Sequence, residues 1–172
     1  RRRLQPPFHR RHLGGHVGER LKGRSGHSEH AVVDLEPRDL GGRAGSQRTG
    51  LRHSEVLPGK LNAPPHCHSA EEEIFIVLDV DGSLLLWEKE TVASSPVMSE
   101  QPVRRGSVVS RPAGTSVAHA FRGGEGGMTV LMYGTKDPND MCYYPRSGKV
   151  FFIGLGLTAR LGEPVDYWEG ED

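Results

Sequence analysis

The sequence is poor in cysteine: among 172 residues only Cys67 and Cys142 occur. Two cysteines cannot build a disulfide-rich scaffold, so the core rests on packing or on a metal. Long apolar runs are lacking too. No stretch approaches the ~20 apolar residues of a membrane-spanning helix, and no membrane partner is expected. Net charge is absent, since 22 Lys and Arg balance 22 Asp and Glu. No periodic segment reaches the length of a convincing helix, about 12 residues. A nucleophile motif and a separate acid–base pair are also missing. What is abundant is turn-forming residues: 23 glycines and 12 prolines. They favour many turns and argue against a helix bundle.

The balanced charge hides an asymmetry. Residues 1–30 carry eight basic and two acidic side chains, and 61–172 carry nine basic and sixteen acidic. Residues 1–30 show no apolar period and are read as a basic, disordered tail. The tail has no apolar h-region, so a secretory signal is not expected and the protein is read as cytoplasmic. A basic tail is the single feature pointing to nucleic acid. Solvated leader sequence is the reading adopted, with no nucleic-acid partner.

From about residue 31 short strands alternate with Gly/Pro punctuation. Strands are expected at 31–35, 50–57, 72–79, 83–88, 107–111, 116–122, 128–135 and 149–157. Residues 39–50 read as loop, and 91–105 as a polar loop with an edge strand. Asp81-Gly82 reads as a hairpin turn. This spacing indicates an all-β sandwich or barrel, a single domain over 31–172. Strands apolar on both faces, such as Ile74 to Leu78 and Val150 to Leu157, imply a second covering layer or another subunit.

The chemistry concentrates in Pro64-Pro65-His66-Cys67-His68-Ser69-Ala70-Glu71-Glu72-Glu73. On extended backbone His66 and His68 share a face, and Cys67 turns away as a small buried hydrophobe. Glu73 starts the strongest strand. His119 follows on a later apolar strand, sharing its face with Val117 and Phe121. A His-x-His pair alone is commonly surface, and a lone histidine is commonly core. Jointly, these four groups would be costly to bury unpaired, and a metal relieves that cost. His66, His68, Glu73 and His119 are therefore the expected ligands of one divalent transition metal: Zn, Mn, Fe or Ni. With no thiolate expected among the ligands, a soft Cu(I) site is disfavoured. Affinity is expected to fall as pH drops through about 6.5, the ordinary histidine value. Phe75, Val77, Val117 and Phe121 share faces with the ligands and are expected to line an apolar pocket. His53 and Glu55 alternate on the strand before Pro58 and are expected to support the ligands by hydrogen bonds. Arg48, Arg52 and Arg111 are either solvated surface or contacts for an anionic substrate.

The spacing resembles the two motifs of the cupins, small barrels built as a double-stranded β-helix. Gly59, six residues, His66-Cys67-His68, four residues and Glu73 match the first motif. Gly106, five residues, Pro112-Ala113-Gly114, four residues and His119 match the second, with two extra residues before the histidine. Two is even, so the face His119 presents is kept. Val80 stands where the first motif closes on Gly, and Gly82 is expected to supply the turn instead. Gly123 stands where the second closes on Asn, a residue that is not a ligand in the family. The likeness covers about residues 48–135. The C-terminal segment, with Asp137-Pro138-Asn139-Asp140 and Cys142-Tyr143-Tyr144-Pro145, is similar to a bacterial subgroup of small single-domain cupins. The resemblance implies a jelly-roll-like barrel of two antiparallel sheets, a homodimer, and a small-molecule ligand at the metal. A three-His, one-Glu set leaves two octahedral positions open, which suits dioxygenase, isomerase or decarboxylase chemistry. A non-catalytic metal-binding or sensing module is the alternative.

Overall fold

The computed structural model describes residues 37–88, 95–162 and 165–171. The strand expected at 31–35 and the basic tail lie outside them. The elements run β1 (Arg38–Asp39), α1 (Leu40–Arg43), β2 (Thr49–Val56), β3 (Cys67–His68), β4 (Glu73–Asp79), β5 (Gly82–Glu88) and β6 (Val97–Val103). They continue with β7 (Val108–Arg111), β8 (Ala118–Gly123), β9 (Met128–Thr135), β10 (Met141–Tyr144), β11 (Lys149–Phe152), a 3-10 turn (Ile153–Leu155) and β12 (Leu157–Arg160). Among the described residues no helix is long and apolar enough to cross a membrane.

One sheet has the order β1-β2-β9-β4-β7, a second β12-β11-β10-β3, and a third β6-β5-β8. Every strand pairing is antiparallel. The second and third are stitched together just before β3. His66 N donates to His119 O at 3.2 Å, and His119 N donates to His66 O at 2.8 Å. Leu61 and Arg122 form a further antiparallel bridge. The result is two antiparallel layers, one continuous and one joined by these bridges.

The inner core is Val56, Phe75, Val77, Leu84, Leu86, Val103, Phe121, Met128 and Val130. A second cluster, Cys67, Leu85, Trp87, Ala118 and Ala120, packs on the other side of β5 and β8. The alternation of Leu84 and Leu86 with Leu85 and Trp87 sends successive side chains to the two clusters, so β5 is buried on both faces. β4 is not: Phe75 and Val77 are buried, while Ile74 and Ile76 are half-buried and Leu78 is exposed.

Several local expectations are corrected. Asp81-Gly82 is not a hairpin turn, because β4 and β5 belong to different sheets; it is the corner where the chain crosses between layers. Val80 takes the left-handed turn there (φ 58°). Gly82 serves close packing instead, since a Cβ on it would collide with Arg122 O. Gly123 is held by a similar approach, to the carbonyl of Leu57. Residues 149–157 are not one strand: a 3-10 turn and Gly156 in the left-handed region divide them. The loop expected at 39–50 contains one helical turn, capped by Asp39 accepting from Gly42 N at 2.9 Å. β6 is the expected edge strand, exposed at every position but Val103. β10 was not foreseen.

Candidate metal centre

The site is assembled where the two layers meet. His66 occupies the bridge to β8, His68 ends β3, Glu73 opens β4, and His119 is the second residue of β8. The imidazole centroids of His66 lie 5.1 Å from His68 and 5.0 Å from His119. Glu73 Oε2 lies 3.2 Å from His119 Nε2 and 3.5 Å from His68 Nε2. Ligand atoms of His66, Glu73 and His119 all fall within 4.8 Å of one another. The two-residue insertion before His119 sits in a turn with Gly114 at φ 71° and Ser116 at φ 58°, leaving β8 in register.

Three atoms at this point, His68 Nε2, Glu73 Oε2 and His119 Nε2, are buried with no well-aligned hydrogen bond, their closest polar neighbours being one another. Buried polar atoms seldom lack well-aligned partners, and two imidazole nitrogens converging on one carboxylate oxygen are the kinds of donor a metal ion takes. The opposite ring nitrogens are anchored. His66 Nδ1–H donates to Pro64 O at 2.7 Å, and His68 Nδ1–H donates to Asp140 Oδ2 at 2.6 Å. Both Nε2 atoms are thereby left to face the centre.

The electrostatics favour the same state. Burial, then the neighbouring His119, holds His66 down at about 4. Burial also lowers His119. For Glu73 burial acts upward, but the imidazoles of His119, His68 and His66 outweigh it and its carboxyl titrates below the usual range. Neutral imidazoles beside an ionised carboxylate are what a divalent cation requires.

The other expected residues fall variously. Phe75, Val77 and Phe121 are closed core rather than the wall of an open pocket. Phe75 nevertheless stacks edge-on to His119 at 5.2 Å. Val117 is half-buried and lines a narrow cleft with His68, His119, Arg111, Pro112, Thr115 and Cys67. His53 and Glu55 lie on the face of β2 opposite buried Ser54 and Val56, and Glu55 pairs with Arg38 at 3.4 Å, so neither reaches the ligands. Their expected role belongs to Asp140. That carboxylate is buried and also accepts from Ser69 Oγ at 3.1 Å, Ala70 N at 2.7 Å and Glu71 N at 3.2 Å. Burial works against its charge, yet these donors, His68 first, hold its titration below the ordinary aspartate value. Arg111 stands directly across from Glu73. Its Nη2 donates to Val117 O at 2.8 Å, and its Nε has no partner.

Cys67 turns away from the centre, as alternation requires, and packs in the second cluster. Cys142, which sequence reasoning left unassigned, does not. It is the cross-strand partner of His68, so the two side chains share a face. Burial pushes its thiol up to about 12. Tyr144, two residues on, keeps its ring 5.8 Å from His66.

No family model matches the chain, and no curated protein matches it. Solved structures do. A sugar phosphate isomerase of the cupin superfamily from Silicibacter pomeroyi aligns at 24% identity, over 76% of this chain and 80% of that one, with a TM-score of 0.60. A protein from Acidithiobacillus ferrooxidans, provisionally named a sugar phosphate isomerase, aligns at 24% identity over 72% of each chain with a TM-score of 0.60. The two antiparallel layers and these likenesses lead to one conclusion: the chain has the fold of the cupin superfamily.

Proposed function

We propose that the chain is a metal-dependent enzyme acting on a small organic molecule, with His66, His68, Glu73 and His119 as ligands of one divalent transition metal. The observation that carries this reading is the convergence of two buried imidazole nitrogens, His68 Nε2 and His119 Nε2, on Glu73 Oε2, none of the three with a well-aligned hydrogen bond. A metal held there would polarise a substrate oxygen as a Lewis acid, as in isomerase or decarboxylase chemistry, or bind substrate and O2 together at open positions, as in dioxygenase chemistry. The chain's own residues prepare the site. Asp140 fixes the His68 ring, Pro64 O fixes His66, and Glu73 supplies one negative charge against the cation. The apolar wall of Phe75 and Phe121 keeps water from one side of His119. Arg111 brings a guanidinium to the cleft with an unused Nε donor, which favours a substrate bearing a carboxylate or phosphate.

Zn, Mn, Fe and Ni all suit this donor set. The test of the enzymatic reading uses Mn2+-loaded protein and the relaxation of water protons. Exchangeable water on the metal, displaced by added small carboxylates or phosphates, supports it. A metal with no exchangeable water supports a purely structural or binding role and contradicts it.

The reading includes a homodimer. The outer face of the five-stranded sheet presents rows of apolar residues: Leu51, Tyr133 and Ile74 in one, Leu131, Ile76 and Val108 in the next. Tyr133 is 44% exposed and Val108 65%. A second copy would cover such a face.

A further inference from the structure

The centre has a donor that the motif pattern does not include. Cys142 is 4% exposed and is not in a disulfide. Its Sγ and ligand nitrogens of His66 and His68 all lie within 4.8 Å of one another. The geometry follows from β10 pairing with β3, which sets Cys142 opposite His68 on the inward face and sets Tyr143 opposite Cys67 on the other. His68 Nε2 is one of the three buried atoms at the centre without a well-aligned hydrogen bond.

We infer that the centre contains two overlapping donor sets sharing His66 and His68: the four proposed ligands His66, His68, Glu73 and His119, which suit hard and borderline ions, and His66, His68 and Cys142, which take soft thiophilic divalent ions such as Cd2+. The inference rests on the metal-centre reading above and extends it to metal selection. Carboxylate oxygen prefers ions such as Mn2+, and thiolate sulfur prefers soft ions. Because the Nδ1 atoms of the shared histidines are hydrogen-bonded to Pro64 O and Asp140, each ring has one nitrogen left for a metal, and the sets are mutually exclusive. Binding to the second set breaks the S–H bond of Cys142, forms an S–metal bond and releases one proton to solvent, with no change of oxidation state. A soft ion therefore displaces a hard one from the same centre, one for one. It adds a thiolate to an expected ligand set that held none.

The test compares the full-length wild type with Cys142→Ser and Cys67→Ser, each stripped with chelator and checked for intact fold by circular dichroism. Cd2+ is titrated while the near-ultraviolet thiolate-to-cadmium charge-transfer band is followed, and Mn2+ binding is measured in parallel by equilibrium dialysis. Wild type and Cys67→Ser are expected to show the band at one equivalent of Cd2+, with bound Mn2+ released. Cys142→Ser is expected to lose the band and to bind Cd2+ at least about tenfold more weakly, with Mn2+ affinity unchanged. Cd2+ binding without the band, or a band lost in Cys67→Ser but kept in Cys142→Ser, would overturn the inference. Loss of Mn2+ binding with the Cd2+ band intact would overturn the metal-centre reading instead, and failure of both ions to bind would overturn both.

Discussion

Asp140 Oδ2 lies 2.6 Å from His68 Nδ1, a contact that joins residues 72 apart in the chain. It settles which nitrogen of His68 carries the proton and which faces Glu73. Carboxylates behind metal-binding histidines orient the ring and raise its basicity. Asp140→Asn keeps the shape but removes the charge and can present its amide nitrogen to Nδ1. Metal affinity should fall by about 10–100-fold, measured by competition with a chelator, while the fold is retained. An unchanged affinity would show that Asp140 serves only the loop of Ser69, Ala70 and Glu71.

The pH dependence should depart from that of ordinary histidines. Burial holds His66 down at about 4, against an ordinary 6.5, and lowers His119 as well. Protons therefore compete weakly with the metal until the pH is well below neutral. Dialysis at about pH 5.5, a unit below the ordinary histidine value, should leave the metal bound, with release as the pH nears 4. Stability of the metal-free protein carries a matching sign. The unfolded chain takes up a proton at His66 near 6.5 and the folded chain only near 4. Stability is thus full above 6.5 and declines as pH falls toward 4. Loss of metal at about pH 6.5 would mean that these imidazoles are solvated.

Val80 holds a left-handed backbone (φ 58°) where a β-branched side chain is strained. The strain costs roughly 1–2 kcal/mol. Glycine would remove it, at an entropic cost of about 0.5–1 kcal/mol. Val80→Gly should raise Tm by a few degrees at most, about 2–4 °C, with metal content unchanged. A lower Tm would show that the side chain, packed against Gly126, stabilises the corner by more than its backbone costs.

Pairing through the outer sheet face should give a solution mass of twice 18.9 kDa by light scattering. Replacing Val108 and Tyr133 with lysine should return it to one copy, since both are exposed in the single chain. A wild-type mass of one copy at micromolar concentration would contradict the dimer.

Much of this architecture was legible because it depends on local period. The run of β-branched and bulky residues from Ile74 to Leu78 marks β4, and alternation from Val117 through His119 to Phe121 gives the face that His119 presents. The same rule turned Cys67 outward. What escaped depends on pairing between distant segments. The crossing of Val80-Asp81 between layers resembles a hairpin turn until the partners of β4 and β5 are known. Asp140 and Cys142 approach the centre only because β10 pairs with β3, and four residues of β10 give little periodic signal. His53 and Glu55 alternate correctly, but alternation alone cannot say which face of β2 is inward; buried Ser54 and Val56 decide that. The low titration of His66 likewise follows from tertiary burial.

The central claim is tested most directly by the metal content of purified wild type, His68→Ala and Cys67→Ser, measured by elemental analysis after loading with Mn2+ or Zn2+. The account predicts one metal per chain in wild type and in Cys67→Ser, whose side chain points into the second cluster, and loss of most metal in His68→Ala. Full metal in His68→Ala, with loss in Cys67→Ser, would contradict the register of β3 and with it the site.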